Sequence, residues 1–416
     1  MVDNESLFNY LVENVYLTPR DIMYNGKYPF CLSPFDFNEF LKYKDAVVKS
    51  GKNPLVVALP LKTFDDRPLH YIKCQELLWN RAAISELVAD DLASNGSLVT
   101  SRLSEHVQKS RIYSEMDGTL SIEAVKTTRR RVADIASGAA APIFESDFVI
   151  KNMARGIDYV LGKPPFGKDS LRHLYSLLSD GLLEDDYKLI EGAFYRHDGV
   201  EVDGFLGCPV PLIEDCMDSF FDYANLVLEK GSAEERFLLP HIAHYYLVYV
   251  HPYFDYNGRT ARMVSFWLAL LSGVTQPLFI SEAINQTKNR YYNSLRDTRG
   301  SHNDLTYFLI YLLSTSVDYY LCYENIEAIT QKAKDGGVVL SETEKAYLKK
   351  ILLCEKGGFV YGDFIRFINS PMSKQAALKM LNFFERIGAL RSMQGKGRNK
   401  IFFVNRDYAP YRRKTD

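Results

Sequence analysis

The chain has 416 residues, 47% apolar and 25% charged, with a formal net charge of −2. That length is enough for two or three domains with sizeable cores, and the charge balance excludes a global attraction to nucleic acid or anionic membranes. The six cysteines are scattered with no Cys-x-x-Cys pair, the start (MVDNESLFNYL) has no basic-then-apolar leader, and no apolar run is long enough to span a membrane. A cytoplasmic protein with reduced thiols is therefore expected.

In chain order, residues 1–34 carry Pro19, Pro29, Pro34 and Gly26 and read as irregular. The spacing of Phe37, Phe40, Leu41, Tyr43 and Val47 predicts a helix from Phe35 to Ser50. Leu55 to Leu61 (LVVALPL) is a short extended run that Pro60 keeps out of a sheet centre. Leu69 to about Ala93 reads as a long helix, so residues 1–95 form an N-terminal, largely helical region. Ser97 to Ser114 is again helical and ends in a turn at Met116-Asp117-Gly118. Thr119 then suits the N-cap of a helix over 119–136, with Glu123 in its first turn. As local structure these two are a capping residue and a solvated acid. The run Thr127 to Arg131 (TTRRR) reads as a solvated face of that helix rather than a nucleic-acid patch.

Gly138 to Pro142 (GAAAP) marks a break. Asp147 to Ser179 is helical with a loop at Gly162-Lys163-Pro164-Pro165, and LGKPPFGKDS lacks the spacing of a Walker loop. Gly192 to Pro211 interrupts the helical periodicity. The alternation Val200-Glu201-Val202, followed by Gly204 and Gly207, predicts a β-hairpin.

His251 to Arg262 (HPYFDYNGRTAR) lies between two apolar helical segments and gathers an imidazole, a carboxylate, an asparagine, a glycine and two arginines. Pro252 ends the first helix near His251. Asn257 suits the N-cap of the second helix, and Gly258 allows close backbone approach. Arg259 and Arg262 fall on one face of its first turn. Cations there oppose the helix dipole, a mismatch that a bound phosphate would resolve. Asp255 beside such a phosphate calls for a divalent cation, for which Mg²⁺ on one carboxylate plus phosphate oxygens is the usual arrangement. His251 can take a proton from an attacking hydroxyl. His241 and His244 make a His-x-x-His pair without a third ligand at metal-site spacing, so packing is the expectation for them.

This stretch resembles the signature of the Fic family, His-Pro-Phe-x-Asp-Gly-Asn-Gly-Arg-x-x-Arg. His251, Pro252, Asp255, Asn257, Gly258, Arg259 and Arg262 match it, Tyr253 replaces the phenylalanine, and Tyr256 departs where the family mostly has glycine or another small residue. Upstream, TLSIEA (Thr119 to Ala124) is similar to the family's inhibitory Ser/Thr-x-x-x-Glu-Gly/Asn helix, departing at Ala124. Gly192, Tyr195, Arg196, Val200 and Val202 resemble its β-hairpin flap. Asn289 to Leu295 (NRYYNSL) is similar to the helix closing the nucleotide pocket, with Asn289 or Tyr292 against the base.

The resemblance implies a mainly α fold, with a helical core carrying the flap over residues 96–325. Leu305 to Leu321 would be its last helix. The implied function is a protein adenylyltransferase. ATP would bind through Asn257, Gly258, Arg259, Arg262 and Tyr292, and Mg²⁺ through Asp255. His251 would act as base, Thr119 and Glu123 would inhibit by pairing with Arg262, and the flap (Val200, Glu201, Val202) would clamp an extended target segment.

Beyond a polar linker over 326–338, residues 339–416 present helices at Ser341–Cys354, Tyr361–Ile368 and Ser373–Gly388, then a hairpin. That is the order of a winged helix. Lys374, Lys379, Lys396, Arg398 and Lys400 would give it a basic edge toward a duplex, while many winged helices contact proteins instead. The expected partners are ATP, a target protein with a Ser, Thr or Tyr hydroxyl (the chain itself included), DNA or protein at the winged helix, and a second copy in a homodimer. No membrane is expected. Two alternatives stay open: the same scaffold transferring another phosphate-containing group or removing AMP, and a nucleotide-sensing, DNA-binding regulator.

Overall fold

A computed structural model describes residues 3–95, 105–202, 204–273, 281–353, 357–368, 372–395 and 400–408. The chain divides into two compact units, Met1–Leu313 and Ser314–Asp416. The fold is mainly α, with strands only in small two-stranded sheets among the described residues. None of the helices searched is long and apolar enough to cross a membrane.

The first unit opens with α1 (Asn4–Glu13), α2 (Pro19–Tyr24) and α3 (Pro34–Ser50). The expected irregular start is thus helical, because Asp3, Thr18 and Ser33 each accept the first free backbone N–H groups of a helix that buries an apolar stripe. Strands β1 (Val56–Ala58) and β2 (His70–Ile72) pair antiparallel, so the long helix expected from Leu69 begins only at α4 (Gln75–Asn95).

A larger correction concerns α5 (Glu105–Ile122), which runs unbroken through Met116-Asp117-Gly118 where a turn was expected. Gly118 is there for close approach. A Cβ at this position would lie 2.4 Å from the backbone nitrogen of Glu282, in the short helix Ser281–Gln286. Thr119 is therefore in the last turn of a helix and caps nothing. The chain leaves α5 through Ala124 at φ +58 and restarts as α6 (Arg129–Ala136), capped by Thr128, so residues 119–136 are not one helix.

Then follow α7 (Glu145–Leu161) and α8 (Lys168–Ser179), joined by the expected loop. The hairpin consists of β3 (Glu201–Val202) and β4 (Phe205–Leu206). Next come α9 (Val210–Lys230), α10 (Ala233–Val250), α11 (Asn257–Ser272), α12 (Ser281–Gln286), α13 (Lys288–Gly300) and α14 (Thr306–Asp335). Helices α10 and α11 form the centre, with Tyr246 and Trp267 fully buried. Among the cysteines, Cys74, Cys208, Cys216 and Cys322 are buried and Cys31 is exposed, while Cys354 lies outside the described residues.

The stretch expected as a linker, 326–338, is helix as far as Asp335 because α14 continues well past Leu321. In the second unit, α15 (Glu342–Leu352) is capped by Ser341, and α16 (Tyr361–Ile368) and α17 (Lys374–Arg386) follow. Strands β5 (Leu390–Gln394) and β6 (Lys400–Val404) pair antiparallel, and Phe359 bridges to Phe402. Lys396 and Arg398 lie outside the described residues. Lys400 is already paired with Glu385 at 2.5 Å, and Lys374 sits over the Tyr361 ring at 4.9 Å.

Candidate active site

Helix α10 ends at Val250, where Pro252 was expected to end it, and His251 turns the chain out in a left-handed conformation (φ +54). The loop that follows is tied by Asn257, whose amide oxygen accepts from Tyr253 N (3.0 Å) and whose amide nitrogen donates to Tyr253 O (2.8 Å). Asn257 is therefore not the N-cap. It is the first residue of α11, and the cap position belongs to Tyr256, which offers no side-chain capping bond. Tyr253 stacks on Tyr175 with ring centroids 3.7 Å apart, fixing the loop from behind.

This loop opens onto a cavity of about 230 Å³ lined by His251, Asp255, Asn257, Gly258 and Arg262 from the motif. Glu123, Val202, Phe205, Tyr291, Tyr292 and Leu295 also line it, with Tyr245, Tyr249, Arg296 and Arg299 completing the wall. Residues from four distant stretches thus meet at one place. Tyr292 is on the wall as expected, whereas Asn289 is exposed and does not line the cavity.

Arg262, 6% exposed, donates from Nε to Thr119 Oγ1 (2.7 Å) and from Nη2 to Glu123 Oε1 (2.5 Å). Gly258 makes room for that pair, since a Cβ there would fall 2.9 Å from Glu123 Oε1 and 3.3 Å from Arg262 Nη1. Burial works to raise the Glu123 pKa, but Arg262 overrides it with help from Arg259 and Lys288, leaving the carboxyl below its usual value and ionised. Lys288 donates to the carbonyl of Ile122, capping the C-terminus of α5 with a cation.

Arg259 departs from expectation. It is not part of the cavity lining. Its guanidinium lies 3.4 Å from the centre of the Tyr256 ring, its Nη2 is 3.7 Å from Asp255 Oδ1, and its buried Nε has no hydrogen-bond partner. Tyr256 is buried and keeps φ at +65. Asp255 remains half-exposed, with Oδ1 accepting from Tyr256 N (2.5 Å). Burial is the main cause holding His251 down to about 4, only partly offset by the Val248 carbonyl, so its imidazole is neutral at pH 7.

The hairpin stands beside His251. Arg196, 2% exposed, donates to the carbonyls of His251 (2.8 Å), Asp198 (2.5 Å) and Cys208, fastening the hairpin base to the motif loop. Val202 reaches the cavity, while Val200 and Glu201 do not line it. His241 and His244 are buried; His244 Nε2 and Tyr291 Oη share a hydrogen bond at 3.0 Å, and no metal-holding cluster of His, Cys, Asp or Glu occurs among the described residues.

A description of the Fic/DOC family matches residues 165–269, which include α10, the motif loop and most of α11. The chain carries a Fic domain. Among curated relatives, the protein adenylyltransferase Fic of Drosophila willistoni is 29% identical over 133 residues, covering 32% of this chain and 26% of that protein. Its counterpart in Drosophila mojavensis is 27% identical over 156 residues, covering 36% and 30% respectively. The match thus spans between a quarter and a third of those relatives' length. In fold, the chain is similar to a Fic family protein from Desulfovibrio desulfuricans G20, with TM-score 0.50 and 16% identity over 80% of this chain and 97% of that one.

Sequence reasoning missed several residues around the Fic motif, namely Phe205, Tyr245, Tyr249, Tyr291, Lys288 and Arg299. Phe205 and Tyr291 lie inside stretches already singled out, the hairpin and NRYYNSL, but nothing there marks them individually. The others come from α10 and α13 and carry no motif of their own beyond the density of aromatic residues in those helices.

Proposed function

We propose that the chain is a protein adenylyltransferase that transfers AMP from ATP to a Ser, Thr or Tyr hydroxyl of a target protein, and that Glu123 restrains it at rest. The observation carrying this reading is the Arg262–Glu123 pair at 2.5 Å inside the cavity that also holds His251 and Asp255. A buried guanidinium beside the first turn of a helix suits a phosphate. A carboxylate bonded to it competes for the same donor. The curated relatives' name, protein adenylyltransferase, supports AMP as the group transferred.

On this reading the triphosphate lies over the start of α11 and the base lies toward Tyr291 and Tyr292. Asp255 fits a magnesium ion, since a single half-exposed carboxylate at the cavity edge suits a cation that keeps its waters and shares phosphate oxygens. Bound there, the ion would neutralise phosphate charge. His251, kept neutral by burial, takes the hydroxyl proton as the target oxygen bonds to the α-phosphorus and the bond to the leaving pyrophosphate breaks. Arg262, once released by Glu123, offsets the charge gathering on pyrophosphate. The target segment lies along the hairpin by main-chain hydrogen bonds, which needs little side-chain specificity there.

The test is labelling with ATP carrying α- or γ-label. Glu123→Gly should raise α-label on protein by about tenfold or more, the order expected when a charged hydrogen bond worth more than ~1.4 kcal/mol stops competing. His251→Ala should abolish it. γ-Label on protein would point instead to phosphate transfer on the same scaffold. Unchanged labelling in Glu123→Gly would remove the restraint from this account.

The helices and hairpin of the second unit, with Phe359 bridged to Phe402, support a winged-helix reading. The Lys400–Glu385 pair weakens its basic edge, which favours a protein over a duplex as its partner. A gel shift with genomic fragments tests the duplex directly.

A further inference from the structure

The hairpin beside the active site is too small to hold itself. Among the described residues its strands pair Glu201 with Leu206 and Val202 with Phe205, extended by one bond from Gly207 N to the Val200 carbonyl, and a lone two-stranded hairpin is marginal even when longer. Nor does apolar burial hold it, because Leu206 is 69% and Val202 38% exposed. Arg196 fixes its base, but something else must fix its far strand. That group is Arg299 of α13. Its Nη2 donates to the Leu206 carbonyl at 2.5 Å. Its guanidinium is held among three rings, 4.6 Å from Phe205, 5.4 Å from Phe64 and 5.7 Å from Tyr249. Phe64, from the loop between β1 and β2, itself stacks on Tyr249 at 4.4 Å, so the aromatic seat is rigid. A charge-assisted hydrogen bond from a planar, stacked cation is both strong and directional.

The register gives this bond a further role. Gly207 N donates to Val200 O, so the alternation of an antiparallel pair makes Glu201 and Leu206 the pair whose main-chain groups face away from each other. Leu206 thus spends its outward carbonyl on Arg299. The outward N–H and C=O of Glu201 belong to the opposite edge, along β3, beside which Val202 enters the cavity.

We propose that Arg299 is a positioning residue for the target protein: it closes the β4 edge of the hairpin and leaves β3 as the edge on which the target's extended segment docks. This inference rests on the transferase reading. Arg299 lies on the cavity wall, and the role assigned to it here acts through the hairpin.

The test uses the full chain and two readouts. The first is amide hydrogen exchange, compared between the parent, Arg299→Ala and Arg299→Lys. Exchange over residues 199–208 should speed up by roughly tenfold in Arg299→Ala and by less in Arg299→Lys, which keeps the charge but loses the flat stack. α10 and α11 should be unaffected. The second is transfer of α-label in the Glu123→Gly background, with the His251→Ala chain added as protein acceptor. The KM for the acceptor should rise by about tenfold in Arg299→Ala, with kcat falling less. Unchanged exchange in the hairpin, or a fall in kcat without a change in KM, overturns the proposal. If the Glu123→Gly parent itself transfers no α-label, the transferase reading has failed, and exchange alone then decides whether Arg299 closes the β4 edge.

Discussion

Tyr256 keeps a left-handed backbone at φ +65, where a side chain costs roughly 1 kcal/mol or more. Its ring is buried and covers the flat face of Arg259 at 3.4 Å. Removing a buried aromatic ring costs about 3 kcal/mol or more, so packing outweighs strain. Tyr256→Gly, although it restores the residue the family mostly has here, should therefore destabilise the chain by about 2 kcal/mol, read as a lower urea midpoint at an unchanged slope. A higher midpoint would mean that backbone strain dominates. The same residue shows what the sequence could and could not say about the site. The spacing of His251, Asp255, Gly258 and Arg262 was legible, because a loop entering a helix fixes those positions locally. The direction of Arg259 was not, because it is set by a ring that only tertiary packing places. Arg299 was invisible for the same reason: its partners Leu206, Phe64 and Tyr249 come from three separate stretches.

At the scale of elements, Gly118 led the sequence reading to a turn, whereas the chain uses it to bring two helices into contact. A Cβ on Gly118 would meet backbone atoms of Ser281 and Glu282 at 2.4 to 2.8 Å, and backbone cannot swing aside as a side-chain end can. Alanine is the better helix former by about 1 kcal/mol, yet Gly118→Ala should lower the melting temperature, because α5 and α12 must separate. Glu123 is the residue immediately after α5, so the same shift should loosen its bond to Arg262. If Glu123 restrains transfer, Gly118→Ala should raise resting α-label in the fraction that stays folded, in the direction of Glu123→Gly. A stabilised variant with unchanged labelling would contradict both halves of this expectation. Most other elements were legible from periodicity and caps, as with α3, α7, α8 and α16. The exceptions are the start of the chain and the break between α5 and α6, where short helices depend on capping side chains or one glycine admits two readings, together with β2 at the expected start of α4 and the expected linker, which is helix as far as Asp335.

At the scale of the molecule, a buried ion pair ties the N-terminal helices to the segment just before α14 within the first unit. Lys44 of α3 donates to Asp304 Oδ2 at 2.8 Å, with both side chains 1% exposed or less. Tyr16 Oη donates to the same oxygen at 2.5 Å, and Thr306 N donates to Asp304 Oδ1 at 3.1 Å, at the start of α14. Beside them His70 N donates to Asn303 O and Leu305 N to His70 O, so β2 is laced to the same segment. Nothing in the sequence announced this, since a lysine on an amphipathic helix reads as solvated and Asp304 lies 260 residues away. Burial works to raise the Asp304 pKa, but Lys44 and His70 overcome it and hold the carboxyl below its usual value. Its contribution to stability is therefore present above the ordinary aspartate range and is lost as pH falls through and below it. Removing one charge leaves the other buried and uncompensated, at a cost of about 3–5 kcal/mol, whereas removing both leaves no such charge. Asp304→Asn should thus destabilise the full chain by that order, and adding Lys44→Met should recover part of the loss, so that the double variant falls well short of the sum of the singles. Chemical denaturation of the four chains measures the coupling. Strict additivity would mean that Lys44 finds other partners once Asp304 is neutral, and that the aromatic and main-chain contacts, rather than the ion pair, hold the N-terminal helices in place.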